Sequence, residues 1–416
     1  AVLVNSDLSR SRYTRMTRET PGVYPCYSII QRERKNCYPE PDAFTVTETV
    51  VSIELQALLD VTTIRLAESL IDPLNALTAE ERANAKLISK WGIDGSCQDA
   101  FKQNFGSADA SDSHVLQSNF VPLLLKTRAS GKEVTLWRNP APSSPRCCRP
   151  IRFRFVKENT ETTKQEYDHV QRQIDALHET DVPLHGGSPT VKHELKLTMV
   201  DGKVCNTLTD TSSTLRCFMC QASSLQFNNF REMLICEVEP ASLQFGMSVL
   251  HARLRFLEFV LTLAYRIPAG VYPVKTAEDK AKFAKAQTTI REEIREKMGL
   301  LIHIPKANFG NTNDGNTSRR FFDDPETVSR VTGIDPTLLR NFRLILEIIS
   351  NGRDIDVEKF SILCLDTATR DVRLYKWNPM SPTVHKVLIH GLHIIRHAEL
   401  PIGILSEEAA EHRNKH

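Results

Sequence analysis

The feature that most constrains this chain is a series of period-two runs between residues 85 and 204. In AKLISKWGID (85–94), Leu87, Trp91 and Ile93 fall on one side and Lys86, Lys90 and Asp94 on the other. NFVPLLLKT (119–127), KEVTLWR (132–138), PIRFRFVK (150–157) and ELKLTMVDGKV (194–204) come after it. Such alternation fits a strand, whose successive side chains point to opposite faces of a sheet. A helix is predicted over 160–179, with Tyr167, Val170, Ile174 and Leu177 as its buried stripe. Residues 47–71 read as one helix, ended by Asp72-Pro73. From about 217 to 380 the pattern is largely helical, clearest over 245–266, 279–299 and 336–350. A helix, a Pro/Gly break and a last helix from about Ser406 close the sequence, and no internal repeat is visible. The implied architecture is an α/β core interrupted by a long helical insertion.

Composition enters through charge and cysteine. The balance of 53 Lys+Arg against 51 Asp+Glu, net +2, looks indifferent to nucleic acid. The basic residues are nevertheless segregated: between Lys126 and Lys157 the single acid is Glu133, and Arg10, Arg12, Arg15 and Arg18 crowd the start. Stretches of this kind neutralise phosphates, and they are also what a solvated face looks like. Ten irregularly spaced cysteines do not form a disulfide framework and favour a reducing compartment. No apolar run approaches the ~18 residues of a membrane span, and the N-terminus lacks the apolar core of a signal peptide. The opening on Ala1 reads as a processed or trimmed start.

Two constellations carry chemistry. Asp94 and Asp201 each stand at the end of an alternating run and are followed by Gly, while Glu408 and Glu411 lie three apart on the last helix and share a face. Two strand-borne aspartates and a helix-borne glutamate suit a two-metal phosphoryl-transfer site, because hard Mg²⁺ ions take oxygen ligands. Strand-end Asp-Gly is equally ordinary turn chemistry, and acids suit a helix start. Cys217-x-x-Cys220 and His385-x4-His390 offer two halves of a tetrahedral Zn²⁺ site that would pin one end of the insertion to the other. Buried small residues and surface histidines would give the same letters. Asp366, Asp371 and His251 have no partners at recognisable spacing. The Gly/Asn-rich run 308–322, with Arg319 and Arg320, reads as a loop able to approach a phosphate backbone.

Several segments together resemble a known family. YPCYSIIQRERKNCYPE, TVTETVVSIELQALL, LKLTMVDGKVCNTLTDTSSTLRCFMC, LHARLRFLEFVL and SPTVHKVLIHG…LPIGILSEEAAEHRNK are similar to Transib DNA transposases, relatives of the catalytic subunit of the V(D)J recombinase. The resemblance runs from about residue 10 to the end. It implies an RNase H-like DDE catalytic core with an N-terminal helical DNA-binding and dimerisation segment (1–85). The core then runs over 86–210, a large, mostly helical zinc-binding insertion over 211–392, and the core's terminal helix over 393–416. Carried onto this sequence, the catalytic triad falls on Asp94, Asp201 and Glu411, with Glu408 as the competing glutamate, and the zinc ligands on Cys217, Cys220, His385 and His390.

The resemblance further implies two Mg²⁺ (or Mn²⁺) per active site and one structural Zn²⁺. It implies a nuclear homodimer that cuts and pastes DNA at terminal inverted repeats and inserts it into target DNA, with no membrane. Arg10, Arg12, Arg15, Arg18, Arg138, Arg152, Arg154, Arg319 and Arg320 are the expected DNA-binding residues. The family continues into a C-terminal helical tail, which is expected to be missing here. The alternative is a domesticated, catalytically weak relative that binds DNA without cutting it.

Overall fold

The computed structural model describes residues 8–97, 105–106, 112–183, 189–304 and 313–413. Eight strands form the sheet: β1 (Phe44–Val46), β2 (Val50–Ile53), β3 (Lys86–Cys97), β4 (His114–Ala129), β5 (Lys132–Arg138), β6 (Arg149–Arg154), β7 (Thr180–Asp181) and β8 (Thr190–Leu197). Their order is β1-β2-β6-β4-β3-β8-β7, and β5 also pairs with β4. All pairs are antiparallel except β3 with β8. That parallel step needs a crossover, and α4 (Thr160–Asp175) lies in it.

The helix expected over 47–71 is a correction. Residues 44–53 form a hairpin that pairs with β6, and the helix, α3, covers only Leu55–Glu68. Val50, Val51 and Ile53 are β-branched and extend a sheet whose partner strand lies a hundred residues downstream. Pro73 does not end α3; it sits within a separate short helix, Ile71–Asn75. Ahead of the hairpin stand α1 (Arg10–Glu19) and α2 (Tyr27–Lys35).

Alternation also misleads about which sheet face meets water. Lys90, expected on a polar face, is fully buried, because both faces of β3 are covered. Its ammonium donates to the Ile404 and Ser406 carbonyls at 2.9 and 2.5 Å. A buried cation needs such partners, and these two carbonyls belong to the segment that leads into the terminal helix.

Beyond β8 come α5 (Gly202–Leu208) and then the long helices α6 (Val249–Arg266), α7 (Ala277–Met298), α8 (Pro336–Ser350) and α9 (Val357–Tyr375). Next is α10, which passes from Pro382–His385 through a π turn, Lys386–His390, into Gly391–His397. The terminal helix, α11, is Glu408–Arg413. Phe256, Phe259 and Phe342 interlock edge-to-face between α6 and α8, giving this part its own aromatic centre. The run 308–322 is a correction in part: residues 305–312 lie outside the described ones, but Gly315–Asp323 is a helix capped by Asp314. No described helix is long and apolar enough to cross a membrane.

Candidate active site and metal centre

Asp94 stands inside β3, not at its end, three residues before Cys97. Gly92 permits a close crossing of two chain segments beside it. A Cβ there would lie 1.8 Å from the Met199 carbonyl oxygen, because the chain leaving β8 passes directly over it. The Thr198 and Met199 amides bond to the Trp91 carbonyl at 3.1 and 3.0 Å, fixing that crossing. β8 itself stops at Leu197, so Asp201 is not a strand-end residue but the N-cap of α5. Its carboxylate accepts from the Val204 amide at 2.8 Å. Gly95 has a second purpose: a Cβ would meet the Glu158 carboxylate at 2.5 Å. Glu158 in turn holds Lys203 at 3.0 Å.

The terminal segment brings three further carboxylates. Burial, then the charges of Glu411 and Asp201, hold the Asp94 carboxyl well above its ordinary value, while His251 pulls the other way. Burial and the charge of Asp201 also raise Glu158. The charge of Glu408 is felt at Lys90 and Arg253. Glu407 is buried and accepts from the Val249 and His251 amides at 2.9 and 3.0 Å, from the Ser248 hydroxyl, and from His251 Nδ1 at 3.0 Å. His251 Nε2 lies 3.4 Å from Glu411. Burial opposes both charges of this pair. Their mutual hydrogen bond and attraction prevail, raising His251 to about 9 and lowering Glu407 to about 2.

Glu158, His251 and Glu407 are the residues that sequence reasoning missed. His251 has no partner at a fixed spacing, since its partners come from the other end of the chain. Asp201 and His251 border a cleft of about 520 Å³ whose walls include Lys203, Arg216, Arg255 and Lys386. A cationic cleft beside clustered carboxylates can hold a phosphodiester near groups able to bind divalent cations. Hard oxygen donors that raise one another's proton affinity fit Mg²⁺ or Mn²⁺.

The second group is tighter. The ligand atoms of Cys217, Cys220, His385 and His390 all lie within 4.8 Å of one another, and among the described residues no other such group is found. The CFMC segment is a knuckle: Gln221, with φ of 58°, turns the chain so that its amide returns to the Cys217 carbonyl at 2.8 Å. Histidines five apart on an α-helix would point about 140° away from each other. The π turn Lys386–His390 is wider than an α-helical turn and narrows that offset. Nε2 of His385 is 3.1 Å from Nε2 of His390 and 3.5 Å from Cys220 Sγ. Phe227 stacks on the His385 ring at 4.1 Å. The hydrogen bond from Cys220, then those from both histidines, hold the Cys217 thiol well below its ordinary range. Two sulfurs and two imidazole nitrogens converging in a buried pocket match the donor set of tetrahedral Zn²⁺.

The expected DNA-binding arginines scatter. Arg10, Arg12, Arg15 and Arg18 are exposed on α1, which is anchored by the buried Tyr13, and Arg15 pairs with Glu19. Arg138, Arg319 and Arg320 are exposed. Arg152 and Arg154 instead lie 3.3 and 3.7 Å from the fully buried Glu166 of α4, which also accepts from Ser118. Both are expected DNA-binding residues, but α4 covers their face of the sheet. All ten cysteines are free thiols.

Among curated proteins, none matches the chain. Residues 87–213 match the family model of the RNase H domain of recombination-activation protein 1 (RAG1). That span holds all of β3 to β8 except Lys86, together with Asp94 and Asp201. The match over residues 87–213 supports a relative of the V(D)J recombinase catalytic subunit, consistent with a Transib-like transposase.

Proposed function

We propose that the protein is a cut-and-paste DNA transposase, acting as a homodimer on terminal inverted repeats in nuclear DNA. In this reading it nicks each transposon end, forms hairpins on the flanking DNA and joins the freed 3′-OH ends to target DNA. The observation that supports the reading is that the charges of Glu411, from the terminal helix, and Asp201, from the start of α5, both act on Asp94 of β3, the two aspartates lying within the span that resembles the RAG1 RNase H domain. When bound there, two divalent cations supply a clamp on the attacking and leaving oxygens of an in-line displacement. Asp94, Asp201 and Glu411 hold them.

The cleft beside Asp201 receives the phosphate backbone, with Lys203 and Arg255 balancing its charge. Successive steps use one set of carboxylates, and the strand laid against them sets which hydroxyl attacks. Cys217, Cys220, His385 and His390 hold one structural Zn²⁺ that closes the helical insertion. The N-terminal residues up to 85, with their exposed α1 arginines, read the repeats and contribute to the dimer.

The test is cleavage of the element's own end DNA with Mg²⁺ or Mn²⁺. Nicking by the intact protein, abolished in Asp94→Asn, Asp201→Asn and Glu411→Gln and retained in Glu408→Gln, is expected. Binding of end DNA with no cleavage under either metal would sink the reading. Cleavage retained by Glu411→Gln but lost by Glu408→Gln would overturn the glutamate assignment.

A further inference from the structure

Four donors at the start of α6 converge on the buried Glu407 carboxylate. The amides of Val249 and His251 are among the helix N-terminal donors that need external acceptors. The Ser248 hydroxyl is a third partner and His251 Nδ1 a fourth. Because a carboxylate can only accept, the ring must present Nδ1–H to it. With Nδ1 so committed, and held also at 2.9 Å from the Ser248 hydroxyl, the imidazole plane is fixed. Its Nε2 edge then has one direction, toward the Glu411 carboxylate 3.4 Å away.

We propose that Glu407 and His251 are positioning residues: Glu407 orients the His251 ring, and the ring holds the Glu411 carboxylate in place for the divalent cation. The proposal rests on Glu411 being one of the metal-holding carboxylates. A ligating carboxylate held by a neighbouring side chain keeps its orientation, and loss of such a neighbour typically weakens metal affinity ~10–100-fold. The arrangement also joins the start of α6, in the helical insertion, to the terminal helix. A displacement of α6 would therefore move His251 and, with it, Glu411.

The two arms of the imidazole separate stapling from positioning. Asn at position 251 retains a donor where Nδ1 was and so keeps Glu407 satisfied, but it cannot reach Glu411. Binding of Mn²⁺ to the DNA-free full chain is measured by titration calorimetry, with melting temperature recorded on the same samples. His251→Asn is expected to melt within a few degrees of wild type while binding Mn²⁺ about tenfold more weakly. Glu407→Gln is expected to bind Mn²⁺ about tenfold more weakly as well. It should also lose the hydrogen-bonded Nδ1–H proton signal of His251 in the ring-nitrogen correlation spectrum.

Wild-type Mn²⁺ affinity in a folded His251→Asn protein would overturn the proposal even if Glu407→Gln were unstable. So would an unchanged His251 signal in Glu407→Gln. If the wild-type protein binds Mn²⁺ through Asp94 and shows these differences, yet cuts no DNA, the transposase reading fails and the positioning role stands.

Discussion

The two ligand clusters solve opposite problems with the same chain. Cys217, Cys220, His385 and His390 form a closed set: Cys217 and both histidines are buried, and all ligand atoms fall within 4.8 Å. Asp94, Asp201 and Glu411 form an open set, with Asp94 half-buried and the Glu411 side chain 28% exposed beside a cationic cleft. The soft donors can be packed away because their role ends once a cation is bound. In the proposed function the carboxylates keep one side free for a substrate; burial and their mutual repulsion raise the Asp94 carboxyl. A closed cluster contributes to folding, whereas an open cluster strains it.

The sharpest way to break this contrast is to neutralise each cluster in turn. Asp94→Asn should lower end-DNA nicking by at least ~10³-fold, measured in single turnover, while leaving the melting temperature unchanged or raised. A large fall in stability would mean that Asp94 is structural. Cys217→Ser should do the reverse. Zinc content by atomic absorption falls from one per chain to near none, and melting falls by on the order of 10 °C, since ligand loss is folding loss. Unchanged melting and no metal in the wild-type protein would remove the closed site from the comparison.

A smaller effect comes from pH. Asp94 has a folded pKa above its unfolded value near 3.8, so its proton favours the folded state. That contribution is complete below 3.8 and is lost as pH rises through the folded value. In metal-free protein the stability advantage of Asp94→Asn over wild type should therefore grow with pH from about 4 upward. Denaturant midpoints at several pH values would check it, and an advantage that shrinks with pH would contradict the repulsion argument. The smallest effect is expected for Glu408→Gln, which should change nicking by less than about threefold, because its charge is felt at Lys90 and Arg253.

What could be read from the sequence divides along the same line. The strands that alternate, the two aspartates and the Cys/His pairs are visible because each rests on local spacing. The hairpin at 44–53 was hidden by Val51, Leu55, Leu58 and Leu59, whose spacing runs at helical period straight across the change at Glu54. Its strand character comes from a distant partner, β6. Arg152, Arg154 and Lys90 alternate with apolar neighbours, yet the elements that cover them lie outside their own strands. His251 and Glu407 carry no motif at all, for their meaning lies in a contact spanning 156 residues. The π turn is a third kind of concealment: His385-x4-His390 is legible as letters, but α-helical geometry would have pulled the pair apart.

The grip of Lys90 on the Ile404 and Ser406 carbonyls spans 314 and 316 residues and has a consequence for synthesis. The strand that bears Asp94 leaves the ribosome early, whereas the helix that bears Glu411 comes only after the whole insertion has been made. A chain caught partway through the insertion holds both aspartates but neither the carbonyl partners of Lys90 nor Glu411. The carboxylates of the candidate site therefore meet only after the insertion that separates them has been synthesised.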